Sequence, residues 1–275
     1  MDYKLPPRVE NSNKSTYGRV LNVAGSDYMP GAAYLSSVSA LKIGCGYCFL
    51  CSTERVIDVV AAQTQNVVFL PLDKLVDSVK HLPLDVVEIG CGLSQSDLAQ
   101  SLFTQVIDNI PKDLPLIVDA DGLNIISKNP DKFISKGFSS VVFTPHPLEA
   151  ARLLDCSLEE VLAELKLSAK NISKKYKCIT VLKTHRTVVV SPDERIYENT
   201  TGNNAMAKAG SGDVLCGMIS GLVAQGMDLF EACSLAVYLH GLSGDLAAEK
   251  LTVYSVMAED LISFIPNAVK LYLNN

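Results

Sequence analysis

From near residue 19 to near residue 183, short apolar runs alternate with longer, helix-like segments. RVLNVA (19–24), YCFLCS, VVFLPL, DVVEIG, PLIVDAD, SSVVFTPH and CITVLK are nearly continuous in apolar residues, as strands are when both faces of their sheet are covered. Between the first two runs, PGAAYLSSVSALKIG places small and apolar residues at helical spacing, and further helices are predicted over 54–63, 73–81, 95–110, 122–135 and 147–175. The last contains SLEE, where Ser157 and Glu160 have capping-box spacing, so it divides into two helices. Strand and helix in strict alternation imply a parallel sheet with right-handed crossovers.

The pattern changes after Lys183. TVVVSP and RIYEN read as a short antiparallel pair around Asp-Glu, TTGNNAMAKAGSGD as a long loop, and helices are expected at 212–226, 228–249 and 255–272, the second with Asp228 and Glu231 at capping-box spacing. The elements together describe an α/β fold of three layers, a doubly wound and mostly parallel sheet between helices. With no low-complexity linker, repeat or break in composition, residues 1–275 read as one domain, the first 13 as an extended arm.

The chain is 48% hydrophobic and 20% charged, an ordinary globular balance. A net charge of -6 argues against sequence-independent nucleic-acid binding, so any anionic ligand must be held locally. The N-terminus lacks an apolar core of signal-peptide type, and no apolar run reaches membrane-spanning length, so the expected setting is the cytoplasm, with no membrane partner. Cys45, Cys48 and Cys51 have C-x2-C-x2-C spacing, but the fourth ligand and proline of a ferredoxin-type run are missing; buried reduced thiols are the expectation.

Ligands of a doubly wound sheet bind outside the carboxyl ends of its strands. The loops there are AGSDYMPGA (24–32), GCGLSQS (90–96), DADGLN (119–124), TPHPLEA (144–150) and KTHRT (183–187). No G-x-x-x-x-G-K-[ST] is present, and neither GCGYCF nor GCGLSQ completes G-x-G-x-x-G, which removes the usual signatures of P-loop NTPases and nicotinamide-dependent dehydrogenases. GSGD (210–213) remains, at the start of a helix. Such a terminus favours an anion, yet Asp213 brings a negative charge of its own. By residue type Asp213 is an N-cap, which leaves open what a site suited to an anion does with its own carboxylate.

NTTGNNAMAKAGSGDVLCGMISGL, VDADGLN, FTPHPLEAARLL and VAGSDYMPGAAYLSSVSALKIGCGY together resemble the NAD(P)H-hydrate dehydratase family of the ribokinase-like superfamily. G-x-G-D is shared with small-molecule kinases of that superfamily, whereas the set N-x-T-G-N, T-P-H-P-x-E and D-A-D-x-L-N is more specific. The resemblance implies a ribokinase-like fold and a carbon–oxygen lyase acting on the S epimer of hydrated NADH or NADPH. The co-substrate would be ADP or ATP, with Mg²⁺. The substrate hydroxyl accepts a phosphoryl group, and phosphate then leaves as the ring double bond reforms. A homo-oligomer such as a tetramer, and a pathway link to a separate NAD(P)H-hydrate epimerase, are further expectations; many bacterial relatives carry the epimerase as a fused domain.

Phosphoryl transfer depends on positioning and electrostatics, so the N–H groups of Gly210, Ser211 and Gly212 are read as the anion hole and Asp213 as the base for the hydroxyl proton. A helix N-terminus is expected to lower the Asp213 pKa. The resemblance implies that Ala32, Gly92, His146 and Asp213 contact the hydrated dinucleotide. It places Lys183, Thr184, His185, Arg186, Thr187 and Gly212 at the adenine nucleotide. The structural alternatives are a turn histidine between two prolines for His146 and a solvated strand-end lysine for Lys183. Asp119, Asp121 and Asn124 divide between turn formation and a role toward water or Mg²⁺. No metal-ligand set is assigned, because His81, His146, His185 and His240 show no ligand spacing. Gly202 and Asn203 shape a loop expected to close over phosphate.

Five residues depart from the pattern that the resemblance implies. Thr184 and His185 follow Lys183 where a second glycine is usual, Cys91 replaces proline, Leu148 replaces glycine, and Ser211 replaces threonine. Two other readings stay open: a kinase for a small alcohol, such as a vitamin precursor or a sugar, and a non-catalytic nucleotide-binding sensor.

Overall fold

A computed structural model describes residues 3–274. Its strands are β1 (Arg19–Val23), β2 (Tyr47–Ser52), β3 (Val68–Pro71), β4 (Val86–Ile89), β5 (Leu116–Val118), β6 (Val141–Phe143), β7 (Ile179–Leu182), β8 (Val188–Val190) and β9 (Ile196–Glu198). They form one sheet in the order β3-β2-β1-β4-β5-β6-β7-β8-β9. Pairing is parallel as far as β7 and antiparallel for β8 and β9, so the expected hairpin after Lys183 is present. The helices are α1 (Pro30–Lys42), α2 (Glu54–Ala61), α3 (Leu75–His81), α4 (Asp97–Asn109), α5 (Ala120–Lys128), α6 (Pro130–Ile134), α7 (Pro147–Leu154), α8 (Leu158–Ala163), α9 (Leu165–Tyr176), α10 (Ser211–Ala224), α11 (Leu229–Lys250) and α12 (Ala258–Leu273).

Two apolar cores lie on the two faces of the sheet. One joins α1, α2, α10, α11 and α12 to the sheet, and the other joins α3 to α9. Strands between two helical layers bury both faces, which is why Val86–Ile89 and Ile179–Leu182 are buried at every position. The same alternation separates the cysteines. Cys48 faces the core of α1 and α10 while Cys51, three residues on, faces the other, so they cannot share a cluster. All eight cysteines are free thiols.

Local chemistry explains where elements break. The Ser157 capping box forms as expected, but 147–175 divides into three helices, because the backbone leaves helical geometry again at Glu164 (φ -138°). The segment 122–135 is also divided: Asn129 caps a new helix whose first residue is Pro130, and proline has no N–H to continue the preceding one. Asp228 accepts from the N–H groups of Phe230 and Glu231, without the reciprocal Glu231 contact of a full capping box. The N-terminal arm is held along the molecule, with the Tyr3 carbonyl accepting from the Tyr272 hydroxyl and Arg8 stacked over the Tyr17 ring.

One topological feature positions the site. From β1 the chain moves outward through β2 and β3, then returns to place β4 on the other side of β1. The loops after β1 and β4 diverge there and leave a crevice at the carboxyl ends of the strands.

Candidate active site

Helix α10 points its N-terminus at this edge of the sheet. Its N-cap is Gly210, at φ 91°, in the left-handed region where a side chain is disfavoured. Asp213 is therefore the third residue of the helix, not its cap, and the capping reading of that acid does not hold. The Ser211 N–H donates to the Lys208 carbonyl (3.3 Å), whereas the N–H groups of Gly210, Gly212 and Asp213 have no acceptor among the described residues. The free donors are thus at Gly210, Gly212 and Asp213. Ser211 turns its hydroxyl toward His240 Nε2 at 3.5 Å, where burial pushes that imidazole down to about 4 and keeps it neutral.

Burial, reinforced by the Asp119 carboxylate, pushes Asp213 up to about 6. The lowering expected from the helix terminus is reversed, because desolvation and a like charge outweigh Cys91 and Lys183, which act in the other direction. A base titrating nearer neutral pH is better matched to proton abstraction.

Asp119 follows β5 and is 1% exposed. Its Oδ1 lies 2.6 Å from Lys183 Nζ and accepts from the Ala120 N–H at 2.8 Å. Ala120 takes φ 46°, a strained position for a side-chain-bearing residue, held by the surrounding turn. Lys183 is tied to the neighbouring loop through its N–H to the Pro145 carbonyl (2.8 Å). Burial works against its charge, yet Asp119 and Glu149 hold it above the ordinary lysine value. It is a paired, largely buried cation rather than a solvated strand-end lysine. A Cβ at Gly212 would sit 3.3 Å from Lys183 Nζ, so the ion pair and the helix N-terminus share one wall.

The remaining expected residues fall into two groups. Thr184 to Thr187 form the turn between β7 and β8, with the Thr184 N–H donating to Thr187 Oγ1 (3.3 Å) and the Arg186 N–H to Thr184 Oγ1 (3.2 Å), which leaves His185 and Arg186 exposed. Ala32 and Gly92 meet across the crevice: a Cβ at Gly92 would lie 2.6 Å from that of Ala32. Beside them a cavity of about 230 Å³ is lined by Gly25, Ser26, Tyr28, Ser52 and Leu93, among others.

His146 caps α7, its Nδ1 accepting from the N–H groups of Leu148 (3.1 Å) and Glu149 (3.3 Å), while Glu149 Oε2 accepts from the His146 N–H at 2.8 Å. The turn reading of His146 is therefore met by its geometry, and its half-exposed ring still borders the Lys183 side of the site. Burial, against Lys183, raises the Glu149 carboxyl. Asn124 Oδ1 is occupied by Arg152 (2.7 Å), and Asp121 Oδ2 accepts from the Ser94 N–H (2.7 Å). The 200–206 loop is fastened to α11, with the Gly202 N–H and Asn203 Nδ2 both on Asp245 at 2.9 and 2.8 Å.

Sequence reading passed over Glu88 and Cys216, which stand behind Asp213 with Cys91. An acid inside the apolar run DVVEIG was the available signal for Glu88. Nothing in sequence spacing links it to Cys216.

The sequence profile of NAD(P)H-hydrate dehydratases matches residues 20–267. The chain belongs to the NAD(P)H-hydrate dehydratase family. It is 35% identical to the ADP-dependent (S)-NAD(P)H-hydrate dehydratase of Neisseria meningitidis serogroup B, over 88% of this chain and 81% of that one. It is 34% identical to the bifunctional NAD(P)H-hydrate repair enzyme of Moorella thermoacetica, covering 97% of this chain and 52% of that enzyme. The chain thus spans about half the length of the bifunctional members of the NAD(P)H-hydrate dehydratase family that it matches. The ADP/ATP-dependent NAD(P)H-hydrate dehydratase from Bacillus subtilis, co-crystallised with ATP and Mg²⁺, superposes with a TM-score of 0.84 at 30% identity, covering 98% of this chain and 94% of that one. The ribokinase-like architecture expected for this family is therefore the fold observed.

Proposed function

We propose that this chain catalyses the nucleotide-dependent dehydration of the S epimer of hydrated NADH or NADPH. Supporting this are its family membership and one observation above the others: a partly buried carboxylate, Asp213, raised to about 6, beside three N–H groups without an acceptor among the described residues. A carboxylate beside an anion hole suits a reaction in which a hydroxyl loses a proton while a phosphoryl group gains charge.

In this reading Asp213 takes the proton from the 6-hydroxyl as the oxygen–phosphorus bond forms and the terminal phosphoryl leaves its nucleotide. The N–H groups of Gly210, Gly212 and Asp213 face the transferring oxygens. Lys183, fixed by Asp119 at 2.6 Å, supplies positive charge at the adjoining wall, next to Gly212 and the Thr184–Thr187 turn where the nucleotide lies. Ala32, Gly92 and His146 border the dinucleotide. Phosphate then leaves, and the adjacent ring carbon gives up a proton to solvent, as the ring double bond reforms. The donors present fit Mg²⁺ as a partner of bound phosphate: carboxylate oxygens of Asp119 and Asp213 lie within 4.8 Å of each other, and Mg²⁺ is commonly held by one or two carboxylates with phosphates. When bound it neutralises phosphate charge.

No described helix is long and apolar enough to cross a membrane, which is compatible with a soluble substrate in the cytoplasm. A separate epimerase would supply the S epimer. The deciding experiment mixes the protein with hydrated NADH, Mg²⁺ and either ADP or ATP, and follows nicotinamide absorbance and phosphate release. Recovery with one nucleotide supports the reading and identifies the donor. A stable phosphate ester would replace it with an alcohol kinase.

A further inference from the structure

On the core side of Asp213 lie two thiols and a carboxylate that the proposed reaction does not use. Glu88 is in β4, Cys91 follows that strand, and Cys216 lies one helical turn after Asp213 in α10. All three are fully buried, and one donor atom from each is within 4.8 Å of the other two. Cys91 Sγ is 3.6 Å from Glu88 Oε1 and 3.8 Å from Asp119 Oδ2. A tetrahedral ion with sulfur at about 2.3 Å and oxygen at about 2.0 Å sets sulfur and oxygen roughly 3.5 Å apart, so these spacings need only small adjustments to close on a metal. Ser220 Oγ holds Glu88 Oε2 at 2.6 Å, leaving Oε1 for Cys91, as outer partners orient a metal ligand.

We propose that Glu88, Cys91 and Cys216 form a site for one thiophilic divalent cation of the Zn²⁺ class, distinct from the Mg²⁺ that accompanies nucleotide. Two thiolates with one carboxylate favour a soft or borderline ion, whereas Mg²⁺ requires an octahedron of oxygens. Binding forms two sulfur–metal bonds and one oxygen–metal bond and releases both thiol protons to solvent. Asp119 Oδ2 or water is the nearest source of a fourth ligand. Cys91, Asp119 and Asp213 also have donor atoms within 4.8 Å of one another, so the cluster adjoins the proposed base. An ion here ties the loop that carries Gly92 to the helix that carries Asp213, and is expected to inhibit.

The test titrates the full-length protein with Co²⁺, reading thiolate-to-metal charge-transfer absorbance and proton release, and then displaces Co²⁺ with Zn²⁺. The expected result is one ion per chain, a thiolate band, no displacement by excess Mg²⁺, and affinity lower by at least about tenfold in Cys91→Pro and Cys216→Ala. Absence of the band in the unsubstituted chain, displacement by Mg²⁺, or an unchanged band in both folded variants would overturn the proposal. Since the first two readings need no variant, a substitution that fails to fold leaves the test decisive. A Glu88–thiol cluster held only by hydrogen bonds would give the first of these negative results.

Discussion

Asp213 carries its charge in surroundings that oppose it, and this has consequences for both rate and stability. The proposed base must be ionised, so kcat/KM is expected to fall as pH drops through about 6, rather than near the ordinary aspartate value, and a pH–rate profile checks this. Replacement by asparagine should lower turnover by roughly 10²–10⁴-fold while nucleotide still raises the melting temperature; single-turnover kinetics and thermal shift separate the two effects. The stability effect has the opposite sign. A folded-state pKa raised above the unfolded value gives stability that is present at low pH and lost as pH rises through about 6. Asp213→Asn should therefore stabilise the protein by about 1–3 kcal/mol at pH 8 and by nothing measurable near pH 3, as urea titrations at the two pH values would show. Lys183 presents the reverse case. Its removal in Lys183→Met leaves Asp119 buried and unpaired, at an expected cost of about 3–5 kcal/mol, and adding Asp119→Asn should recover most of the loss in a double-mutant cycle.

At the scale of elements, the site depends on how closely α10 approaches α1. A Cβ at Gly217 would lie 2.0 Å from the Ser36 carbonyl oxygen, so the two backbones nearly touch. Gly217→Ala is expected to destabilise by about 1–3 kcal/mol and to displace the α10 N-terminus, seen as a lower melting temperature together with a raised KM. Gly31→Ala, which meets nothing within 4 Å, should change stability by less than about 0.5 kcal/mol. Element boundaries were legible where capping chemistry marks them, as at Ser157. The break at Glu164 carries no such signature, and the Asn129–Pro130 break was visible only as a proline inside a helical pattern.

For the whole molecule, the surface between α11 and α12 exposes Leu251, Val253, Tyr254 and Met257, a row of apolar side chains that we propose as the contact of the homo-oligomer expected from the resemblance. Size-exclusion chromatography with light scattering should give a mass above 29.6 kDa, and Tyr254→Glu should shift it toward that of the single chain. A monomer at all concentrations would remove the proposal.

The sequence by itself determined the architecture and pointed to the loops that meet at the crevice. Short apolar runs without alternation, bounded by turn residues, read as strands covered on both faces, and DADGLN and TPHPLEA fall directly after strands, where a doubly wound sheet opens. Tertiary structure decided what those residues are chemically. Asp119 and Lys183 are far apart in the chain, and only the adjacency of β5, β6 and β7 makes them an ion pair. Asp213 titrates high because neighbours from other elements bury it and repel its charge, and the local helix terminus is the weaker influence. The cluster of Glu88, Cys91 and Cys216 exists only because α10 packs on β4. Local pattern fixes which residues face inward; desolvation and through-space charge depend on which of them then meet.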